Sequence, residues 1–446
     1  MSMKQRRVLA VHDISCVGRC SLTAALPIIS SVGVECSVLP TAVLSTHTGG
    51  FTGFTFRDLT EDIRPIGAHW DAEGITFDAV YTGFLGSFEQ IDLVEELISP
   101  MAEKGARIYV DPVMGDRGKL YSVFGPDFPA GMRRLCEKAD LLMPNLTELA
   151  FMLGFPYEDG PYTRQYVEDV LEKSKELGAR RIVITGVSFE KGKVGAVYKD
   201  YDTGESGSVM RPEIPGYYHG TGDVFGSALV GALESGLSLA DTVGTAVDMT
   251  VGSIARTYAA GTDVRFGVNF ECGILGYASA VRSMSRLRRA STDEDVKSIA
   301  TMAASIWPEV YVGMIPDGQT EYMVYRFQSE DAVRRQLQEG YAYVIARDSG
   351  KDAGYLSYKI EDGLLFVSKL YVSAAARGKG YGRLLLETAF EAGRSVGADR
   401  MELTVNRNNL DAIGFYEGMG LRKLRKQVTD IGGGFVMDDY RMGREL

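Results

Sequence analysis

His219-Gly220-Thr221-Gly222-Asp223-Val224-Phe225-Gly226 opens an apolar stretch that runs to about Leu233. Three small residues ahead of a helix leave its first N–H groups unobstructed, and these, with the positive end of the helix macrodipole, form an anion site. A carboxylate at Asp223 has a task there. It can take the proton of a hydroxyl attacking a phosphoryl group while the amides hold the developing charge. Taken alone, Gly-Thr-Gly-Asp is also compatible with a plain loop and an acid near a helix start, so its meaning depends on what the chain upstream brings to it.

Upstream, short β-rich runs alternate with amphipathic segments of helical length. The runs are Val8 to Val11, Val34 to Leu39, Ala79 to Thr82, Arg107 to Val110, Leu141 to Met143 and Arg181 to Thr185. This rhythm predicts an α/β unit with a parallel sheet covered by helices on both faces. Each run ends in residues able to carry chemistry: His12-Asp13, Thr82-Gly83-Phe84, Asp111-Pro112, Asn145 and Thr185-Gly186. Ligands of open α/β sheets sit at the carboxyl ends of the strands, so the chemistry is expected along one edge. Asp111-Pro-Val-Met-Gly-Asp116 supplies two carboxylates there, and Asn145-Leu-Thr-Glu148 an amide and a carboxylate one helical turn apart. Carboxylates beside an anion hole suit a magnesium nucleotide. A Gly-x-x-x-x-Gly-Lys-Ser/Thr loop is absent, which excludes a P-loop enzyme.

The chain has 446 residues, about three times a typical domain, so one core is not expected. After a helix-rich stretch from Asp223 to Tyr258 comes Val281 to Ala290 with four arginines, read as a solvated connector. The predicted organisation is therefore 1–280, a linker at 281–290, and a smaller α/β unit at 291–446 that opens on a helix start at Ser291-Thr292-Asp293-Glu294-Asp295. Up to residue 280 acids outnumber bases by 12, and beyond it bases lead by one. Neither half advertises a nucleic-acid surface. Leu22 to Val43, among the longest apolar stretches, is broken by Ser30, Ser31, Gly33 and Glu35, short of the about 20 apolar residues of a membrane span. The opening segment reads as a first strand, not a signal peptide. Five cysteines fit no zinc spacing, so a reducing cytoplasmic setting is expected, with Cys16 and Cys20 as small buried thiols.

In the second half, strands are predicted at Tyr341 to Arg347, Gly354 to Lys359, Leu364 to Val372 and Met401 to Val405. A helix is predicted from about Gly380 to Val396. The strand ending at Val372 leads into Ala376-Arg377-Gly378-Lys379-Gly380-Tyr381-Gly382-Arg383, a glycine-rich turn whose free amides and basic side chains suit a pyrophosphate. A flexible turn is the plain alternative.

Residues 8 to about 277 resemble the ribokinase-like superfamily, most closely pyridoxal/pyridoxamine kinases. The resemblance lies in Asp111-Pro-Val-Met-Gly-Asp116, Pro144-Asn145-Leu-Thr-Glu148, Gly220-Thr-Gly-Asp223, and Pro40-Thr41 leading into Ser45-Thr46-His47-Thr48. It implies a three-layer α/β/α fold and ATP-dependent phosphorylation of the 5′-hydroxymethyl group of a B6 vitamer. Carried over by position, Asp223 would be the general base and Gly220, Thr221 and Gly222 the anion hole. Asp116 and Glu148 would lie near Mg2+, and Asp111, Asn145 and Thr185 on the nucleotide side, with a monovalent cation as a further candidate. His47 and Thr48 match positions around the pyridine ring. Two departures stand out. Asp13 replaces a usual Ser and would favour a cationic amine; Phe84 replaces a common Tyr and can stack but not hydrogen-bond. A homodimer through the kinase unit is also expected.

Residues 285 to 446 resemble the GCN5-related N-acetyltransferases. Arg377, Gly380 and Gly382 meet their glycine-rich pattern, and Asn406, Asn409 and Ala412 lead into Phe415-Tyr416-Glu417-Gly418. The resemblance implies acetyl-CoA held by Arg377, Gly378, Gly380, Gly382 and Asn409, with its pantetheine arm along Leu370 to Val372. Tyr416 would protonate the leaving thiolate. No base for the acceptor amine is readable; Glu361 and Asp362 look like solvated turn acids. Two rival readings stand beside a bifunctional enzyme: a kinase of another small alcohol such as a hydroxymethylpyrimidine, and a sensor in which one half is catalytically silent.

Overall fold

The structure is a computed structural model that describes residues 5–348 and 351–446. It divides into two compact units, Gln5–Ser283 and Met284–Leu446.

The first unit contains β1 (Arg7–Ser15), β2 (Glu35–Leu44), β3 (Phe56–Asp58), β4 (Ala79–Thr82), β5 (Arg107–Val110), β6 (Gly115–Asp116), β7 (Lys119–Leu120), β8 (Leu141–Leu142), β9 (Arg181–Val187), β10 (Lys193–Asp200) and β11 (Ser206–Pro212). Nine of them form one sheet in the order β11-β10-β9-β8-β5-β4-β1-β2-β3, and β6 and β7 make a separate hairpin. The six runs predicted as strands are its parallel centre. Alternation explains the layers. Leu9, Val11, Val80 and Ile108 face one apolar core, with helices such as Phe88–Glu103 and Leu146–Leu153. Val8, Ala10, Ala79 and Tyr81 face another, with Leu22–Ser31, Thr221–Glu234 and Leu239–Ala260. Strands buried on both faces read as unbroken apolar runs. Toward the edges the pairing differs: β3, β10 and β11 pair antiparallel.

The second unit contains β12 (Leu287–Arg289), β13 (Ala342–Asp348), β14 (Lys351–Glu361), β15 (Leu364–Val372), β16 (Arg400–Asn406), β17 (Arg422–Gly432) and β18 (Phe435–Glu445), in the order β12-β13-β14-β15-β16-β18-β17. Only β15 and β16 run parallel among these pairs, and they pair over Leu364–Val367 and Arg400–Leu403 alone. Between Ser357 and Tyr358 the β14/β15 register slips, so Ser368 is an extra residue in β15. Such a bulge bends a strand. Past it β15 and β16 no longer pair, and a cleft opens between them.

Two readings of the sequence are corrected. The expected linker at 281–290 is ordered on both sides of the boundary: Val281–Met284 ends the helix Ile274–Met284, and Leu287–Arg289 is the edge strand β12, antiparallel to β13. The arginines suggested solvent, but β12 lies at a sheet edge where charged side chains are tolerated. Cys16 is exposed, unlike buried Cys20, and all five cysteines are free. Among the described residues no helix is long and apolar enough to cross a membrane.

Candidate active sites

At the strand ends of the first unit, Gly220 caps the helix Thr221–Glu234 in the left-handed region, φ 73°. A Cβ there would lie 2.1 Å from the Arg19 carbonyl oxygen, so only glycine lets the Arg19–Ser21 loop close over the turn. Asp223, half-buried in the first helical turn, has its carboxyl pushed up to about 7, chiefly by desolvation; the Ser21 N–H opposes this and the Asp13 charge reinforces it. A carboxylate poised near neutrality suits proton acceptance.

Asp13 is buried at the register shift in β1 and accepts hydrogen bonds from Ser21 Oγ at 2.5 Å and Ser15 Oγ at 3.3 Å. Burial raises its carboxyl above the usual range. Ser21 itself has φ 51°, a strained conformation for a non-glycine residue. Asp13 is thus a buried member of a hydroxyl network. His12 is likewise packed away, its ring edge-on to Tyr81 at 4.5 Å and its nitrogens without a hydrogen-bond partner among the described residues. Desolvation lowers it to about 3, so the ring is neutral.

His47 is buried, donates through Nε2 to the Arg265 carbonyl and accepts the Gly49 N–H at Nδ1. Its ring lies 5.4 Å from that of His219, which brings the 45–51 loop to the Gly220 turn. Thr48 is exposed, and Phe84 packs on Phe124 at 5.5 Å.

The acids form a buried array. Desolvation first and the Asp223 charge second raise Asp111; desolvation and the Asp111 charge raise Glu148. Glu148 accepts N–H groups of Met114 at 3.2 Å and Asn145 at 2.9 Å, closing a capping box on the helix Leu146–Leu153. Asn145 donates to the Gly115 carbonyl at 2.8 Å and bridges Thr185, so both stand at one edge with Asp111. Asp116 lies on the β6/β7 hairpin, and Arg117 beside it stacks over Tyr217 at 4.7 Å, tying the hairpin to the loop before His219. Among the described residues no cluster of three or more His, Cys, Asp or Glu is arranged to hold an ion by itself. Glu148 also serves the helix cap.

The second site is the cleft opened by the β15/β16 splay, of ≈ 1130 Å3. Leu370, Val372, Arg377, Gly378, Gly380, Gly382, Asn409 and Tyr416 all line it. Gly378 and Gly380 have φ 78° and 85°, and a Cβ on either would meet no atom within 4 Å. Arg377 donates to the Val372 carbonyl and pairs with Glu309; Lys379 pairs with Asp348. Asn409 caps the helix Leu410–Gly418 by accepting the Ala412 N–H at 3.1 Å. Tyr416 is buried on that helix, and desolvation, with Tyr311 nearby, holds its phenol above the ordinary range and therefore protonated. Trp307, Tyr311, Lys369, Tyr371 and Asp439 also line the cleft; Tyr371 falls within the Leu370 to Val372 stretch, and no local motif announces the other four.

A parallel sheet with a Gly-Thr-Gly-Asp helix start and gathered carboxylates defines a small-molecule kinase unit, and a splayed sheet with a glycine-rich helix start defines an acyl-CoA-type unit. Residues 22–267 match the phosphomethylpyrimidine kinase family and residues 305–421 the acetyltransferase (GNAT) family. The chain belongs to the phosphomethylpyrimidine kinase family and carries a GNAT domain behind it. A structure from Bacteroides thetaiotaomicron described as a phosphomethylpyrimidine kinase, in a crystal form with pyridoxal, is 37% identical, with TM-score 0.59 over 61% of this chain and 96% of that one. Pyridoxal kinase from Lactobacillus plantarum is 31% identical, TM-score 0.56, over 61% and 97%. The pyridoxine/pyridoxal/pyridoxamine kinase of Bordetella bronchiseptica is 26% identical over 57% of this chain and 90% of its own.

Proposed function

We propose that the chain phosphorylates the 5′-hydroxymethyl group of a B6 vitamer with ATP and, through its second unit, transfers acetyl from acetyl-CoA to an amine. The observation that carries the kinase reading is Asp223: a carboxyl held near neutrality at a helix start whose glycine cap packs against the chain's own backbone. In this reading Asp223 takes the hydroxyl proton while the N–H groups after Gly220 hold the developing phosphoryl charge. His47, Thr48 and Phe84 border the ring, and Asp13 orients Ser21 behind it. Asp111, Asn145 and Thr185 take the nucleotide side.

Burial and the charges of neighbouring acids raise Asp111, Glu148 and Asp223, backbone N–H groups oppose this at Glu148 and Asp223, and among the described residues none of the three has a Lys or Arg partner. That charge excess fits a divalent cation nearby, with Asp116 and Glu148 as the carboxylates toward it. When bound, Mg2+ neutralises phosphate charge.

In the second unit, the Leu370–Val372 backbone takes the pantetheine arm, the Arg377–Gly382 turn takes the pyrophosphate, and Tyr416 supplies the proton for the thiolate. A homodimer through the first unit belongs to the same reading. A second reading of the kinase half, a hydroxymethylpyrimidine kinase, is favoured by the name of the matched family. One assay separates them: ATP-dependent phosphorylation by the full chain of pyridoxal, pyridoxamine, pyridoxine and hydroxymethylpyrimidine. The highest kcat/KM on a vitamer is expected. Turnover confined to the pyrimidine overturns the vitamer assignment.

A further inference from the structure

Among the described residues, two buried charges in the cleft of the second unit lack a partner of opposite sign. Asp439, 5% exposed, lies on β18 opposite Asn406 at the end of β16, and its Oδ1 has no hydrogen-bond partner. Burial, with Asp438 adjacent, brings its carboxyl up to about 6. Lys369, 8% exposed, follows the Ser368 bulge. Its Nζ donates to Gln336 Oε1 at 2.6 Å and Ser368 Oγ at 3.0 Å and stands 5.7 Å from the Tyr341 and Tyr343 rings. Among the described residues no carboxylate pairs with it, and burial alone pushes it down to about 7. Neither side chain belongs to the acetyl-CoA wall formed by Leu370–Gly382, Asn409 and Tyr416.

A buried ion without a counter-ion is destabilising unless a ligand completes it. One unpaired anion and one unpaired cation lining the same cleft describe the ligand by complement. We propose that the acetyl acceptor is a small zwitterion, a primary amine that also carries a carboxylate or phosphate, whose ammonium is received and deprotonated by Asp439 and whose anionic group is received by Lys369. This rests on the acetyltransferase reading of the second unit. Asp439 takes one proton from the ammonium. The freed lone pair attacks the thioester carbon, so the C–N bond forms and the C–S bond breaks. Tyr416 gives its proton to the departing thiolate and recovers one from the new amide nitrogen; the proton on Asp439 leaves to solvent. The anion beside Lys369 restores its charged form.

The test uses the full chain, acetyl-CoA and two matched pairs: pyridoxamine with pyridoxamine 5′-phosphate, and butylamine with γ-aminobutyrate. Product is followed by mass and thiol release, and acetyl-CoA binding by thermal stabilisation. The anionic member of at least one pair should be acetylated with kcat/KM at least about tenfold above its neutral partner, and which pair shows it tells phosphate from carboxylate. Lys369→Met should bring that ratio to about one, mainly through KM. Asp439→Asn should lower kcat by about 100-fold or more while acetyl-CoA still stabilises the protein, and Asp439→Glu should recover part of the rate. The proposal fails if acetyl-CoA binds yet no anionic amine outpaces its neutral partner, if Lys369→Met leaves the ratio intact, or if Asp439→Asn turns over normally. If acetyl-CoA does not stabilise the wild type, the acetyltransferase reading falls and the proposal with it.

Discussion

The glycine-capped helix starts at Gly220 and Gly380 look alike as sequence and differ as structure. Both caps are left-handed. Gly220 is enclosed, with the Arg19 carbonyl where a side chain would be, and an acid follows in the first turn. Gly380 is open, with nothing near its absent side chain and no acid in the first turn. The first glycine is required by the protein's own packing and sets the turn that carries Asp223, the base of the proposed kinase reaction. The second is required by backbone conformation and leaves room for a ligand. A helix N-terminus supplies charge stabilisation in both; the neighbours decide whether it supports chemistry or binding.

The largest effect that would break this comparison is at Asp223. Asp223→Asn should lower phosphorylation by about 10²- to 10⁴-fold while nucleotide-induced thermal stabilisation persists. A rate near wild type would make the first turn a binding site like the second. Next comes Tyr416→Phe, expected to reduce the kcat of acetyl transfer by about 10- to 100-fold with acetyl-CoA stabilisation retained. Loss of binding instead would assign Tyr416 to packing.

The glycines sharpen the contrast. Gly220→Ala combines a backbone clash with left-handed strain and should cost several degrees in Tm along with kinase activity. Gly380→Ala carries strain alone, about 1–2 kcal/mol, and Gly380→Glu should remove stabilisation by acetyl-CoA. Equal losses in Tm from the two alanine variants would show that crowding at Gly220 contributes nothing.

The smallest effect is in pH. The Asp223 carboxyl is raised in the fold, so its protonated form is favoured there, and the stability this confers is lost as pH climbs from about 4 through about 7. Asp223→Asn escapes that loss. The variant should therefore match wild type near pH 4 and unfold a few degrees higher at pH 8, measured by thermal melts without nucleotide. A gap that widens toward low pH would reverse the sign.

By itself the sequence determined the two units, the parallel centre of the first sheet, the strands that flank the second cleft and both helix starts. Those features are local: apolar runs such as Val8 to Val11, or small residues next to a helix, carry their meaning within about ten residues. The tertiary structure decided what depends on distant neighbours. It placed Arg288 and Arg289 in the edge strand Leu287–Arg289, because β13 was there to pair with them. It assigned Glu148 to a helix cap and enclosed Asp13 behind Ser21, since burial and hydrogen bonding are set by chain far away in sequence. It also gathered Asp439 and Lys369, 70 residues apart in the numbering, into one cleft where no spacing rule could pair them. Charge state follows environment, and environment is a property of the folded chain.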